Sequence, residues 1–271
     1  MFGDATDPLK RDLHHSKYDF YLVFTATNVA GSGYSSNPDE ITNTGCTCGV
    51  PLCPPECPCI SQFGPNYDER GSLLKVEHGI KNSSKPIVEC NGMCHCGETC
   101  SNRVVQNGIH FNLEIFMTED RGRGLKTTSA IPKHRFVCEY AGELLGRAEA
   151  ERRLKSLKED EANYILIVKE HTSDGDVVET IIDPTYRGNI GRCINHSCEP
   201  NLFLVPVRVH NDIPRIALFA KRDIAAGEEL TYSYGEEMEG VLPLGKVKRK
   251  PCFCGTSSCQ KYLPLELSLF T

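Results

Sequence analysis

Residues 188–201 read GNIGRCINHSCEPN, an unusually dense polar string between two apolar stretches. Asn195 and His196 are adjacent in it, and Asn201 follows closely. A capped turn is the ordinary explanation for an isolated Asn-His pair. Here the neighbouring apolar stretches imply that the string is buried or threaded, and buried polar groups need hydrogen-bond partners. We therefore expect a polar cofactor to lie against this segment.

Short apolar stretches typical of β-strands occur on both sides of the string, and turn residues separate them. They are FNLEIFM (111–117), RFVCEYAG (135–142), NYILIV (163–168), VVETIID (177–183), LFLVPVRV (202–209), RIALFA (215–220) and ELTYSY (229–234). One helix is predicted, from Ala148 to Glu161, because Ala, Glu, Lys, Arg and Leu predominate there. The pattern predicts a compact, mainly-β fold with short helices.

Two further motifs have the residue types of a ligand site. In EELTYSY (228–234), the alternation of a strand places Tyr232 and Tyr234 on the same face. Ordinary sheet tyrosines are the competing explanation. Residues 121–124 read RGRG, and glycine lets the backbone approach a ligand closely. Neither motif is specific by itself.

Fifteen cysteines, an odd number, occur in this chain, and its first residues, MFGDATDPLKRD, lack the apolar core of a signal peptide. We therefore expect a chain that is not secreted, with cysteines that bind metal rather than form disulfides. Nine of them lie in one segment rich in Pro and Gly: Cys46, Cys48, Cys53, Cys57, Cys59, Cys90, Cys94, Cys96 and Cys100.

Structural zinc takes four thiolates in tetrahedral geometry. Three zinc ions need twelve sulfur contacts, which six terminal and three bridging thiolates would supply, so nine cysteines fit a three-zinc cluster. Two mononuclear sites with one spare cysteine are the alternative. His95 lies between two of the cysteines, and we expect it to be a bystander. The expected role of the cluster is structural, since closed all-thiolate zinc has no open position for substrate.

In combination, these motifs resemble those of SET-domain histone-lysine methyltransferases of the Su(var) class. The likeness covers roughly residues 41–265. It is carried by the cysteine pattern, RVVQNG, RFVCEYAGE, DPTYRGNIGR, NHSCEPNL, ELTYSYG and the closing C-x-C-x4-C. The resemblance implies a SET-domain β-clip fold with knot-like C-terminal threading, flanked by zinc-held pre-SET and post-SET modules. It divides the chain into an N-terminal segment (1–40), a pre-SET zinc cluster (41–104), a SET catalytic domain (105–235), and a linker with a post-SET zinc module (236–271).

The resemblance also implies S-adenosylmethionine as the methyl donor. The residues expected to bind it are Gly122, Arg123, Gly124, Tyr186, Arg192, Asn195, His196 and Tyr262. Arg123 stands where the family has tryptophan, so a backbone contact survives and ring packing does not. Cys193 stands where the family usually has an aromatic residue. The lost ring would leave a cavity beside the cofactor, at a stability cost on the order of a few kcal/mol.

The catalytic residues implied by the resemblance are all tyrosines. Tyr234 matches the catalytic tyrosine, Tyr164 lines the lysine channel, and Tyr232 takes the position where Phe or Tyr tunes the number of methyl groups. A tyrosine there predicts one or two methyl groups rather than three, because its hydroxyl restricts the room around the amine. A fourth zinc is also implied, with the ligands Cys198, Cys252, Cys254 and Cys259.

The net charge of −6 suits a basic partner and does not indicate direct DNA binding. The sequence has no apolar run of about 18 residues, so we expect no membrane span. The resemblance implies a histone H3 tail or another Lys/Arg-rich peptide as substrate, and a nuclear, chromosomal location. The target lysine stays open. The alternatives are a methyltransferase of non-histone lysines and a catalytically silent zinc module that binds chromatin proteins.

Overall fold

The computed structural model describes residues 22–49, 51–74, 86–158, 161–172, 174–235 and 250–264. The strands found there are β1 (Val23–Phe24), β2 (Val29–Ala30), β3 (Ile87–Val88), β4 (Leu113–Met117), β5 (Arg123–Thr127), β6 (Phe136–Tyr140), β7 (Gly142–Leu144), β8 (Leu166–His171), β9 (Val177–Gly188), β10 (Asn195–His196), β11 (Leu202–Arg208), β12 (Arg215–Ala220) and β13 (Glu229–Tyr232). The helices are α1 (Pro58–Phe63), α2 (Arg147–Ser156) and a 3-10 turn (Ile190–Cys193). The predicted mainly-β class is confirmed.

The strands form three sheets. The first has the order β1-β9-β7-β2, and β8 pairs with the first half of β9. The second has the order β10-β13-β5-β4, and the third has the order β3-β11-β12-β6. Strand β6 is buried at all five positions, so it lies inside the molecule rather than at its surface.

The polar string at 188–201 and the strand ELTYSY meet in the second sheet. Strand β10 pairs in parallel with β13, so that Asn195 lies opposite Thr231 and His196 opposite Tyr232. A parallel pair cannot be joined by a tight turn. The chain therefore leaves after β10, forms the β11–β12 hairpin, and returns to lie beside the earlier string. This arrangement agrees with the threading that the resemblance implied.

A buried carboxylate joins the cysteine-rich module to the body of the fold. Glu89 is only 1% exposed and accepts five hydrogen bonds. Its donors are the Tyr67 hydroxyl, the backbone N–H groups of residues 104, 105 and 106, and the Gln106 side chain. Since leaving a buried polar group without its hydrogen-bond partners is costly, these five bonds stabilise the junction.

The N-terminal segment contributes strands of its own. Strand β1 pairs in parallel with Arg187 and Gly188 at the end of β9, and β2 pairs in parallel with β7. In addition, the Asn211 side chain donates to the backbone carbonyls of Pro38 and Glu40. Residues 22–40 are therefore an integral part of the fold, and the predicted boundaries at 40, 104 and 235 stay predictions.

The helix is shorter than the sequence predicted. It ends at Ser156 rather than Glu161, because Leu157 takes an extended backbone with ψ 129°. Helix-forming residues continue past this point, and tertiary contacts override their propensity. Arg153, in the last turn, donates to Glu143 and Asp183 of the first sheet, and the chain then turns back towards β8.

The stretch NYILIV is also a strand only in part. Strand β8 begins at Leu166, three residues later than predicted. The carbonyl of Tyr164 accepts a hydrogen bond from the Tyr140 hydroxyl, at 2.6 Å, instead of joining the sheet.

Candidate active site and zinc sites

A cluster of tyrosines lies where β6, β13 and the segment before β8 come together. The ring centroids of Tyr232 and Tyr234 are 4.9 Å apart, and those of Tyr140 and Tyr232 are 6.0 Å apart. Tyr140 also reaches Tyr164 through its hydroxyl. The structure thus brings the three predicted catalytic residues into one group and adds a fourth tyrosine to it.

Tyr234 is held at both its hydroxyl and its backbone. The hydroxyl donates to the Ile194 carbonyl at 2.9 Å, and the backbone N–H donates to His196 Nδ1 at 3.2 Å. Although 36% of the residue is exposed, desolvation raises the pKa of Tyr234. A protonated, fixed hydroxyl at the edge of the cluster can orient a small polar group.

His196 connects the backbone of Tyr234 to the C-terminal cysteines. Because its Nδ1 accepts the Tyr234 N–H, we assign the ring proton to Nε2, which lies 3.4 Å from Cys198 Sγ. Burial lowers the pKa of His196, which favours this neutral form.

Arg192, a predicted cofactor residue, lies against the tyrosines. Its guanidinium carbon is 4.3 Å from the centroid of the Tyr164 ring, which is cation–π geometry. This contact fixes the Tyr164 ring from one side. A role of Arg192 in binding the methyl donor stays a prediction.

Asn195 belongs to a polar network that spans the second sheet. Its Nδ2 donates to the Arg123 carbonyl and to Glu229 Oε1, both at 3.1 Å. Arg121 makes a two-pronged ion pair with Glu229, at 3.1 and 2.8 Å. The RGRG segment and the NHSC string are therefore fixed to each other through one carboxylate.

The two predicted glycines differ in what they require. Gly122 has φ +68°, a left-handed conformation that glycine adopts without strain. A Cβ at Gly124 would lie 2.8 Å from the Phe116 ring, so this position accepts no side chain without a shift. Gly122 is therefore required by its backbone conformation and Gly124 by close packing, and contact of this turn with a ligand stays a prediction.

Two predicted cofactor residues lie at the surface. Tyr186 is 56% exposed and packs against the Arg153 guanidinium, and Tyr262 is 49% exposed on the C-terminal segment. Tyr262 forms a β-bridge with Pro251, and the cofactor roles of both tyrosines stay predictions.

Sequence reasoning missed Tyr140, Arg121 and Glu229 as site residues. Tyr140 lies on a strand that is buried on both faces, where alternation gives no hint of which side faces the site. Glu229 is part of EELTYSY (228–234). A charged residue beside apolar strand residues was the feature of the sequence that could have indicated its role.

Cys193 lies in the main core. It is 5% exposed and belongs to the same apolar cluster as Tyr140 and Tyr232. The cavity that we expect from the missing aromatic ring stays a prediction.

The nine cysteines of the pre-SET segment come together in space. Three groups of four have all their sulfur atoms within 4.8 Å of one another: Cys46/Cys48/Cys53/Cys57, Cys46/Cys59/Cys90/Cys94 and Cys46/Cys53/Cys90/Cys96. Cys46, Cys53 and Cys90 are the shared members, and buried Cys100 contacts Cys90. The groups hold eight cysteines, with Cys46 in all three, and Cys100 brings the number to the nine thiolates that a three-zinc cluster requires, so the residues fit zinc. His95 is exposed and outside these groups.

The C-terminal cysteines form a second, separate site. The sulfur atoms of Cys198, Cys252, Cys254 and Cys259 also lie within 4.8 Å of one another. This four-thiolate set fits one structural zinc ion. It ties the C-terminal segment to the NHSC string, two residues from His196.

Comparisons with known proteins agree with this geometry. A family model described as SET domain matches residues 122–235, and one described as Pre-SET motif matches residues 10–103. The chain is 48% identical to histone-lysine N-methyltransferase SETMAR of Mus musculus over 255 residues, which are 91% of this chain and 82% of that protein.

Solved structures show the same likeness. The methyltransferase domain of human SETMAR is 42% identical, with a TM-score of 0.78 and 90% of both chains covered. KRYPTONITE, solved in complex with DNA, an H3 peptide and SAH, is 31% identical, with a TM-score of 0.71; the match covers 90% of this chain and 48% of that one. Among the described residues, no helix is long and apolar enough to cross a membrane.

Proposed function

This chain belongs to the SET-domain family of histone-lysine N-methyltransferases, and from this premise we propose that it acts on the histone H3 tail and adds one or two methyl groups. It is an S-adenosylmethionine-dependent protein lysine methyltransferase with zinc-binding modules on both sides of its SET domain. The observation that carries the proposal is the group of four tyrosines beside the NHSC string.

The tyrosine group suits an uncharged lysine. An ammonium has no lone pair, so the substrate amine must lose its proton, and its ordinary pKa is about 10.4. Tyr140 and Tyr232 are 4% exposed, and their burial offers a desolvated wall that disfavours a charged amine. Desolvation also raises the pKa of both tyrosines, so their hydroxyls stay protonated.

The remaining requirement is alignment. When bound, S-adenosylmethionine supplies a methyl group on a positively charged sulfur. The residues proposed to hold it are the RGRG turn, Arg192, Asn195 and His196, with Tyr186 and Tyr262 at the edge. The Tyr234 hydroxyl and the Ile194 carbonyl, joined at 2.9 Å, would orient the amine and the methyl group. The amine would give its proton to solvent before the transfer, and positioning of this kind lowers the barrier to the methyl transfer itself.

We infer the methylation degree from the position of Tyr232. Its ring lies between those of Tyr140 and Tyr234, and the proposal is that its hydroxyl takes up space that a trimethylated amine would need. We expect the Tyr232→Phe variant to shift the products from mono- and dimethyl-lysine towards trimethyl-lysine. Mass spectrometry of the methylated peptide checks this. A wild-type product that is mainly trimethyl-lysine would contradict the proposed degree.

The net charge of the protein and its similarity to related methyltransferases both support a histone tail as the substrate. The net charge of −6 favours a Lys/Arg-rich peptide, and the related KRYPTONITE was solved with an H3 peptide. We propose accordingly that the protein works on chromatin in the nucleus. The test is methyl transfer to a panel of H3, H4 and non-histone peptides with site assignment by mass spectrometry. Turnover confined to non-histone peptides would replace the histone proposal.

A further inference from the structure

The C-terminal zinc module has a polar attachment beside its zinc ligands. Glu199, the residue after Cys198, accepts three hydrogen bonds from the turn that carries Cys259. The Ser258 hydroxyl donates at 2.5 Å, the Ser258 backbone N–H at 3.3 Å and the Ser257 hydroxyl at 3.4 Å.

Two successive contacts join residues 198–199 to residues 258–260. Ser258 bonds to Glu199, and two residues later the backbone N–H of Gln260 donates to Cys198 Sγ at 3.4 Å. Cys259 lies between these two contacts. These hydrogen bonds thus fix the orientation of the turn as well as its position. Four sulfur–metal bonds alone would leave the turn freer to rotate.

The turn is linked to the active site through Cys198 and His196. Cys198 lies 3.4 Å from His196 Nε2, and His196 Nδ1 receives the Tyr234 backbone N–H. At its other end, the C-terminal segment is attached by the Lys250 amine, which donates to the carbonyl of Glu161, three residues before Tyr164. The C-terminal segment is therefore attached at two places, one two residues from His196 and the other three residues before Tyr164.

We propose that Glu199 is a positioning residue that sets how the C-terminal zinc module closes over the site, and so controls how tightly the substrate peptide is held. Glu199 lies on the outer side of the NHSC string and acts on the reacting atoms only through the module. The peptide part of this inference rests on the proposed function, whereas the closure of the module does not.

The test compares Glu199→Ala with Glu199→Gln, which keeps one acceptor oxygen, and Ser258→Ala, which removes the shortest bond. Glu69→Ala is the matched control, because Glu69 is an exposed glutamate in a distant turn. Two readouts are used on the zinc-loaded protein: hydrogen exchange of residues 252–262 by mass spectrometry, and kcat and KM for an H3 peptide.

We expect exchange in residues 256–260 to rise about tenfold in Glu199→Ala, since a charge-assisted hydrogen bond is lost. The KM for the peptide should rise about threefold to tenfold, with kcat within about twofold, because the site itself is intact. Glu199→Gln and Ser258→Ala should be intermediate. Exchange and KM equal to those of Glu69→Ala would overturn the proposal. If no peptide is methylated at all, the histone proposal fails while the exchange measurement still decides the role of Glu199.

Discussion

At the scale of single residues, the hydroxyl of Tyr234 is the group on which turnover depends. It is fixed by the Ile194 carbonyl, and the ring packs against His196 and Tyr232. We expect Tyr234→Phe to lower kcat about a hundredfold to a thousandfold, as when an oriented donor is removed from an active site. Affinity for S-adenosylmethionine, measured by calorimetry, should change little. A kcat close to the wild-type value would remove Tyr234 from the mechanism.

Glu139 gives the protein a pH-dependent stability. It is 6% exposed, and burial raises the pKa of Glu139 to about 7, although Arg215 lies 4.0 Å away and opposes the shift. The charge of Glu89 adds to it. A raised folded-state pKa means that the native state binds the proton more tightly. The contribution of Glu139 is therefore present below its ordinary pKa of 4.5 and is lost as the pH rises towards 7.

We expect Glu139→Gln to remove this dependence. Between pH 4.5 and pH 7.5 the wild type should lose about 3 kcal/mol of unfolding free energy relative to the variant. Urea unfolding of both proteins across this pH range checks the prediction. Because both proteins contain the same cysteines, the effect of cysteine titration on stability cancels in the difference. Parallel curves for the two proteins would contradict it.

At the scale of elements, one carboxylate joins three strands of the second sheet. Glu229 on β13 binds Arg121, just before β5, and Asn195 on β10. We expect Glu229→Gln to weaken S-adenosylmethionine binding about tenfold, because Asn195 and the RGRG turn lose their common anchor. Glu114→Gln is the control, since Glu114 pairs with Lys126 on the outer side of the same sheet. Equal affinity in both variants would show that the anchor is dispensable.

The sequence predicted some of these elements better than others. Residues 188–201 were recognisable because a dense polar string between apolar strands needs partners, and residues 229–234 because they alternate as a strand does; the structure pairs β10 with β13. The two-residue strands β1 and β2 were not recognisable, since periodicity needs a longer stretch. The end of the helix at Ser156 and the Glu229 network depend on contacts between residues far apart in the chain, which single-sequence patterns do not carry.

At the scale of the whole molecule, the two zinc sites differ in accessibility. In the C-terminal site, Cys198, Cys254 and Cys259 are partly exposed, whereas seven of the nine cysteines of the other cluster are buried. We expect a strong chelator to remove the C-terminal zinc first, with loss of peptide methylation and little change in far-UV circular dichroism. The remaining zinc should leave only as the protein unfolds. Loss of all the zinc in a single step, at the same time as the protein unfolds, would contradict this order.

The pairing of β1 with the end of β9 has a consequence for fragments of this enzyme. Thr25 N–H bonds to the carbonyl of Gly188, the residue at which the GNIGRCINHSCEPN string begins. A fragment that begins at residue 105, where the catalytic domain was predicted to begin, would contain every residue of the active site. It would still lack strand β1, which lies beside that site. The smallest piece that methylates as well as the parent must therefore carry residues 22–30, or receive them as a separate peptide.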